Sequence, residues 1–349
     1  MVRYENGVRI VTTGDIHINL RKYPEFERDR LLKYSEVLCE AAEGFYDPKE
    51  VHTSILILNG DIFDRAKPTY EEVGLFYEFL ELLEWAYDDI YLISGNHEEL
   101  SSDKTIYSYL PEYIYKYVKV GSIEIGDDLT VWLVGHPYLD YIYKTQPKNV
   151  RNILISHYRS GLDIAEDEVD NDYVEKTYDR AILSDIHYKL SPKPNIMYTS
   201  SPYSINFVKD KEYYGFDILV VDDEGEITHY SPVIELPSKY KLIYSGDSSV
   251  LSLKEFLKDN ISPQNLYKLE LLVPHSSLLE EVISSYDNIV SYKFVQDFSE
   301  LSDEELNSIV DEIAERGEIH IKETLKRLLA NREVDEEILK VGEEELKEL

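Results

Sequence analysis

The chain has 349 residues, 43% hydrophobic and 12% aromatic, enough to pack two domains, or one large domain with an appendage, and this excludes global disorder. Acidic residues outnumber basic ones 69 to 36, a formal charge of −33. That balance disfavours a protein that grips nucleic acid through its own basic surface, and leaves small substrates, a DNA-holding partner or local basic patches. The single cysteine, Cys39, excludes an intrachain disulfide and implies a reducing, cytoplasmic compartment. No apolar run is long enough to span a bilayer, so no membrane association is expected.

In chain order, "VRIVTTG" (8–14), "SILILNG" (54–60), "DIYLISG" (89–95), "TVWLVGH" (130–136) and "NILISH" (152–157) predict buried strands, being short, β-branched and stopped by Gly or a polar residue. Between them, 24–44 and 69–86 carry apolar residues at three- and four-residue spacing, the period of amphipathic helices. Pro24 and Gly44 punctuate the first. "AILSDIHYKL" (181–190) repeats the Asp-Ile-His of "TTGDIHINL" (12–20) at the end of another short apolar run. The later runs 218–223 and 225–233 have only an Asp/Glu/Gly turn between them, which predicts antiparallel pairing at the far side of a mixed α/β domain. Residues 1–235 therefore form the main domain. A small α+β module covers 240–297, with strand-like runs at 267–274 and 289–296 and helical runs at 251–260 and 276–286. From 300 to 349 the chain is acidic and helical in period.

Five run ends carry donor residues: Gly14-Asp15-Ile16-His17, Gly60-Asp61-Ile62-Phe63-Asp64, Gly95-Asn96-His97-Glu98, Ser156-His157 and Ser184-Asp185-Ile186-His187. Loops leaving the carboxyl ends of strands in an α/β sheet face a common crevice. Any one motif alone is ordinary turn or capping chemistry. All five together predict a cage of carboxylates, an amide and imidazoles suited to two divalent metals of the Mn²⁺, Fe²⁺ or Zn²⁺ kind rather than Ca²⁺. Asp64 is either a ligand-orienting acid or a solvated turn acid. His136 reads as a core or edge histidine.

These five motifs resemble those of the calcineurin-like metallophosphoesterases. "GDIFDRAKPTYEEV" (60–73), and "MYTSSPYSINF" (197–207) followed by "EYYGFDILVVDDEGEI" (212–227), resemble more narrowly the SbcD-type nuclease subunits, including those of phages. The resemblance covers about residues 8–233. It implies a four-layer αββα sandwich with a small capping domain and a helical tail. It also implies that Asp15, His17, Asp61 and His187 hold one metal, and that Asp61 bridges to a second held with Asn96, His157 and Asp185. The metals expected are Mn²⁺, with Mg²⁺ as the alternative. His97 would orient the phosphate or protonate the leaving oxygen, or else act as a partner of Asp15 or Asp61. At Asp185 the family usually has His. The substitution points either to an altered metal preference or to a weakened second metal.

The reaction implied is phosphodiester hydrolysis on DNA, exonucleolytic and also endonucleolytic, with an SbcC-type coiled-coil ATPase bound through 300–349 and room for a homodimer. Two rivals stand beside it. One is a phosphomonoesterase or small-nucleotide phosphodiesterase on the same scaffold, since fold does not fix substrate. The other is a catalytically weak scaffold bridging an ATPase to DNA ends.

Overall fold

The five early apolar runs are strands in the computed structural model: Val8–Thr13, Thr53–Asn59, Asp89–Ile93, Leu129–Val134 and Arg151–Ser156. The structure describes residues 2–144, 151–162, 168–209, 214–246, 248–273 and 275–295. The helical tail expected over 300–349 lies outside the described residues. The chain divides into two compact units, Met1–Tyr240 and Lys241–Leu349.

In the first unit the strands form two principal sheets. One runs, edge to edge, Ile227–Tyr230, Asp217–Val221, Val8–Thr13, Thr53–Asn59, Asp89–Ile93. Its last three strands are parallel, and Asp217–Val221 pairs antiparallel on both sides, with Ile227–Tyr230 through the short Asp/Glu/Gly turn and with Val8–Thr13. The other sheet has seven strands among the described residues, with Leu129–Val134, Arg151–Ser156 and Arg180–Leu183 parallel at its centre. Gly121–Ile125 joins it antiparallel to Leu129–Val134. That strand is absent from the sequence-based expectation because its five residues interleave Ser and Glu with two isoleucines, too short a pattern to separate from a loop.

Alternation of side chains then builds the layers. Val8, Ile10, Ile55, Ile57 and Ile93 of the first sheet pack with Val131, Leu133, Ile153, Ile155 and Ile182 of the second. Val11, Leu56 and Leu58, pointing the other way, pack against Leu31, Tyr34 and Leu38 of the Pro24–Ala42 helix and Phe76 and Phe79 of the Tyr70–Leu83 helix. The outer face of the second sheet covers itself with Ile142, Val174 and Tyr178. Both faces of each sheet are thus apolar, which is why the strands read as continuous hydrophobic runs, and the order of layers is α/β/β/α.

The helix termini follow local chemistry. Pro24 occupies the first turn, where its missing N–H costs nothing. Thr69 Oγ1 accepts the Glu72 N–H at 3.2 Å and Glu72 Oε2 accepts the Thr69 N–H at 2.7 Å, a reciprocal cap. Glu72 Oε1 also accepts the Leu20 N–H, so the same cap fixes the loop that follows His17.

The described part of the second unit holds a three-stranded sheet of Lys239–Tyr244, whose first two residues precede the unit boundary, Leu266–Leu271 and Ile289–Phe294, with helices Val250–Asn260 and Ser277–Ile283. Leu253, Leu257, Leu269, Leu271, Leu279 and Ile283 form its own core. Both expected helices are present, and Lys239–Tyr244 adds a third strand to the two expected.

Candidate metal centre

The parallel strands of both sheets end toward one crevice, and the turns there carry unusual backbone. Among the described residues, the non-glycine residues with left-handed φ are Asp15 (53°), His17 (51°), Asp61 (49°), Asp185 (90°) and His187 (63°). Each costs about 1–2 kcal/mol that the surrounding packing must offset. Such strain concentrates where function fixes side-chain direction, and here all five residues belong to one cluster. Gly60 (φ 77°) and Gly95 permit it: a Cβ on Gly60 would overlap His157 Nδ1, and one on Gly95 would overlap Asp61 Oδ1.

Main-chain bonds splice the first two loops together. The N–H of Asp15 donates to Gly60 O (3.1 Å), that of His17 to Asp61 O (2.9 Å) and that of Ile18 to Ile62 O (2.8 Å). The Asp185 N–H donates to the Asp15 carboxylate at 3.2–3.3 Å, bringing the second Asp-Ile-His loop against the first.

Three groups of ligand atoms result, those of each group within 4.8 Å of one another. Two of them share Asp61: Asp15, His17, Asp61 and His187, and then Asp61, His157 and Asp185; the third is His17, Asp64 and His97. In the first, His17 Nε2 stands 3.2 Å from His187 Nε2, 3.5 Å from Asp61 Oδ2 and 4.0 Å from Asp15 Oδ1. In the second, His157 Nε2 stands 3.4 Å from Asp61 Oδ1 and 3.9 Å from Asp185 Oδ1. Ligand atoms about 2.1 Å from one ion in octahedral geometry stand about 3.0 Å apart when adjacent and about 4.2 Å when opposite, the range seen here. Asp61 offers Oδ2 to one group and Oδ1 to the other.

The hydrogen bonding fits cations as well. His157 Nδ1 donates to Asn59 O at 2.7 Å, which leaves Nε2 as the lone-pair nitrogen. That Nε2 is buried without a hydrogen-bond partner and faces carboxylate oxygens. Left neutral, that nitrogen would be a buried acceptor costing about 1–3 kcal/mol; a proton facing the carboxylates or a divalent ion satisfies it. The donor set therefore suits two divalent cations.

Electrostatics agree. Burial pushes the Asp15 carboxyl up to about 8, with His157 opposing and Asp61 adding to the rise. Burial acts against ionised Asp61 too, but His157, His17 and His97 overcome it and hold Asp61 well below the ordinary carboxylate range. Burial opposes the charge on His157, yet Asp61, Asp15 and Asp185 raise it well above the usual imidazole value. Burial and then His17 push His187 down to about 4. Three carboxylates in one pocket demand positive charge; protons meet part of that demand, and divalent cations meet it better while releasing the protons.

His97 sits at the edge. Its Nδ1 donates to Asp64 O at 2.7 Å, leaving Nε2 3.9 Å from Asp61 Oδ2, with the side chain 38% exposed. Asn96 is exposed and opens the helical turn Asn96–Glu98, one residue before the His97 N–H that donates to Asp61 Oδ1 at 3.0 Å. Asp64 is not a free turn acid: its Oδ1 lies 3.7 Å from His17 Nδ1, and its Oδ2 accepts from Asn19 at 2.7 Å. His136 is buried, with Nε2 against His157 O at 3.1 Å.

Two further residues support the site, one of them the last residue of the Gly95-Asn96-His97-Glu98 motif. Glu98 is fully buried and its oxygens accept the N–H groups of Asp61 (3.0 Å), Phe63 (2.9 Å) and Gly95 (2.8 Å). Burial, with Asp61 nearby, pushes it up to about 7. Asn59 donates through Nδ2 to Ser156 O (3.1 Å) and Ser184 Oγ (2.8 Å) while its carbonyl orients His157. The available signal was a polar residue at the end of an apolar run.

A model of the calcineurin-like phosphoesterase family matches residues 8–277. Two proteins described as DNA double-strand break repair protein Mre11 are similar to this chain. That of Nanoarchaeum equitans is 25% identical over 235 residues, 58% of this chain and 62% of the relative. That of Methanosarcina mazei is 28% identical over 163 residues, 44% of this chain and 25% of the relative. The chain thus spans less than two thirds of either relative's length. Among solved structures, a cold-active protein tyrosine phosphatase overlays at 13% identity with a TM-score of 0.33, covering 67% of this chain and 81% of that one. The phosphopantetheinyl hydrolase of Mycobacterium tuberculosis overlays at 13% and 0.31, covering 56% and 90%. Among the described residues, no helix is long and apolar enough to cross a membrane.

Proposed function

The chain belongs to the calcineurin-like phosphoesterase family, and we propose that within it the protein is a two-metal DNA nuclease, acting on ends and on single strands or hairpins together with an SbcC-type ATPase. The observation that carries this reading is Asp61, whose two oxygens face two separate sets of ligand atoms. Asp15, His17, Asp61 and His187 would hold one cation; Asp61, His157, Asp185 and Asn96 the second. Mn²⁺ suits this mixed oxygen and nitrogen set best, with Mg²⁺ as the alternative. The similarity to two Mre11 proteins supports DNA as the substrate.

When bound, the two cations supply positive charge to the phosphate and acidify water. The chain's own residues supply geometry. Glu98 and Asn59 hold Asp61 and His157 so that both present one ligating face without rearrangement, a preorganisation that lowers the cost of reaching the transition state. His97 is restrained through Nδ1 and presents Nε2 at the open side of the cluster, where it can orient the phosphate or deliver a proton to the leaving oxygen.

The formal charge of −33 favours a division of labour in which a partner subunit supplies most of the DNA contact; residues 300–349, outside the described residues, are the proposed attachment. The test is release of nucleotides from linear duplex and hairpin DNA with Mn²⁺, with and without the co-encoded ATPase, beside turnover of a chromogenic phosphomonoester. Metal-dependent DNA hydrolysis enhanced by the ATPase supports the reading. Efficient monoester turnover without DNA cleavage replaces it with a phosphatase. Stoichiometric metal without either activity leaves a scaffold.

A further inference from the structure

Arg159 lies two residues beyond His157 in the loop after the Arg151–Ser156 strand, and no motif marks it. Its Nε stands 3.2 Å from Asp185 Oδ2. The N–H is not aligned on that oxygen as a hydrogen bond, since Nε is buried with no hydrogen-bond partner; the contact is an ion pair. The other oxygen of the same carboxylate, Oδ1, faces His157 Nε2 at 3.9 Å. Asp185 is therefore divided between the ligand group and a fixed cationic side chain. Among the described residues, Arg159 is the one permanently charged side chain in an ion pair with the carboxylates of the two ligand groups, Asp15, Asp61 and Asp185; their other partners are imidazoles.

Arg159 is itself held in place. Its N–H donates to Glu168 Oε2 at 3.1 Å, and its carbonyl accepts the N–H groups of Glu168 (2.9 Å) and Val169 (3.0 Å). Its Nη2 stands 3.4 Å from Glu168 Oε1. Backbone and side chain of one residue are thus tied to the same acid. The Asp185 side chain is 14% exposed and that of Arg159 34%, so solvent has little share in orienting the carboxylate.

We propose that Arg159 is a positioning residue for the second cation: by engaging Asp185 Oδ2 it keeps Oδ1 turned toward His157 and Asp61, and it lets a third carboxylate join a pocket already occupied by Asp15 and Asp61. This rests on the two-cation reading above. The physical reason is that three anionic side chains packed together repel one another before any ion arrives, and a carboxylate free to rotate would turn toward solvent. A cation fixed behind it selects the ligating orientation in advance, and groups that orient metal ligands in this way contribute about 10–100-fold to affinity. Glu168 is the part that keeps Arg159 from leaving with the solvent.

The experiment is a Mn²⁺ binding isotherm on the full chain, counting equivalents and affinities by calorimetry or by the spin-resonance signal of free Mn²⁺. The expected result is two equivalents for the wild type. Arg159→Ala retains the first affinity and loses about 10–100-fold in the second, Arg159→Lys recovers part of the loss, and Glu168→Gln gives a smaller loss of the same kind. With Asp185→His in place, Arg159→Ala has no further effect on the second affinity, because a neutral imidazole needs no counter-charge. Two equivalents with an Arg159→Ala isotherm that matches the wild type, or an equal loss in the Asp185→His background, overturns this inference and leaves two-cation binding standing. Fewer than two equivalents in the wild type overturns both. Thermal unfolding of each variant without metal checks that it is folded, and the Lys and Gln variants carry the test if the Ala variant is not.

Discussion

Asp15-Ile16-His17 and Asp185-Ile186-His187 both leave a parallel strand, and both hold their Asp and His in the left-handed region. Their surroundings differ. The first loop is sealed, with Asp15, Ile16 and His17 at 0%, 0% and 2% exposure, and is spliced to the Asp61 loop by main-chain bonds. The second is half open, with the His187 side chain 39% exposed. It is held from outside by Arg159 on Asp185, by the Asp15 carboxylate on its N–H, and by Ser201 on the His187 carbonyl. The same letters thus place Asp and His in left-handed backbone in both copies, while the neighbours decide which copy is the sealed floor and which the half-open wall. The floor is sealed by main-chain bonds to the Asp61 loop; the wall is held by a main-chain bond from Ser201 N–H to His187 O (3.0 Å) and by side chains that substitution can remove.

This contrast can be broken at Asp61, which both loops face. Asp61→Ala is expected to lose about 10²–10⁴-fold in phosphodiesterase turnover, the several kcal/mol that metal charge supplies, and to reduce bound Mn²⁺ at both positions by elemental analysis. Next comes an asymmetry between the loops. Asp15→Ala, removing a fully buried carboxylate, should behave much like Asp61→Ala. Asp185→Ala should lose about 10–100-fold and be rescued by raising Mn²⁺, read as a shift in the metal concentration for half-maximal rate. Equal effects from the two Asp variants would remove the distinction between floor and wall. Stability should show it too: Ile16→Ala is expected to cost about 3 kcal/mol in denaturant unfolding and Ile186→Ala, only partly buried, about 1 kcal/mol.

The smallest effect concerns pH. Asp217 is buried and accepts from His229 Nε2 at 2.8 Å, from Ser231 Oγ and from Lys189 Nζ at 3.3 Å, two residues beyond His187. Burial acts against its charge, but these partners hold its carboxyl below the ordinary 3.8. A carboxyl whose folded pKa is depressed stabilises fully above its unfolded value and loses that contribution as pH falls through the folded one. The stability gap between wild type and Asp217→Asn should therefore be constant above pH 5 and close as pH drops below 3.8, in denaturant titrations across that range.

The strands and helices that carry the centre were legible because their signals are local. Runs such as "SILILNG" are apolar on both faces, and the 69–86 segment has both a helical period and a Thr-x-x-Glu cap. Gly121–Ile125 and Lys239–Tyr244 were not, since each is short and mixed in polarity and becomes a strand only through its pairing partner. Asp15, His17, Asp61, His157, Asp185 and His187 were legible as a set because each follows a strand end. Asn59 and Arg159 were not, and Glu98 stood in a motif without its supporting role, because the roles of Glu98, Asn59 and Arg159 are defined by what they touch across 37, 98 and 26 positions of sequence.

By itself the sequence determined which residue types stand at the strand ends, and so the ligand chemistry on offer. It also set the glycines that let those turns form and the strongly acidic overall balance. Tertiary structure alone decided that one carboxylate faces two groups, that one copy of the repeated tripeptide is buried and the other propped, and that an arginine stands behind the third acid. Composition and periodicity follow from each residue and its near neighbours, whereas a metal-binding geometry is a set of distances between side chains that only packing two sheets together can bring within ångströms.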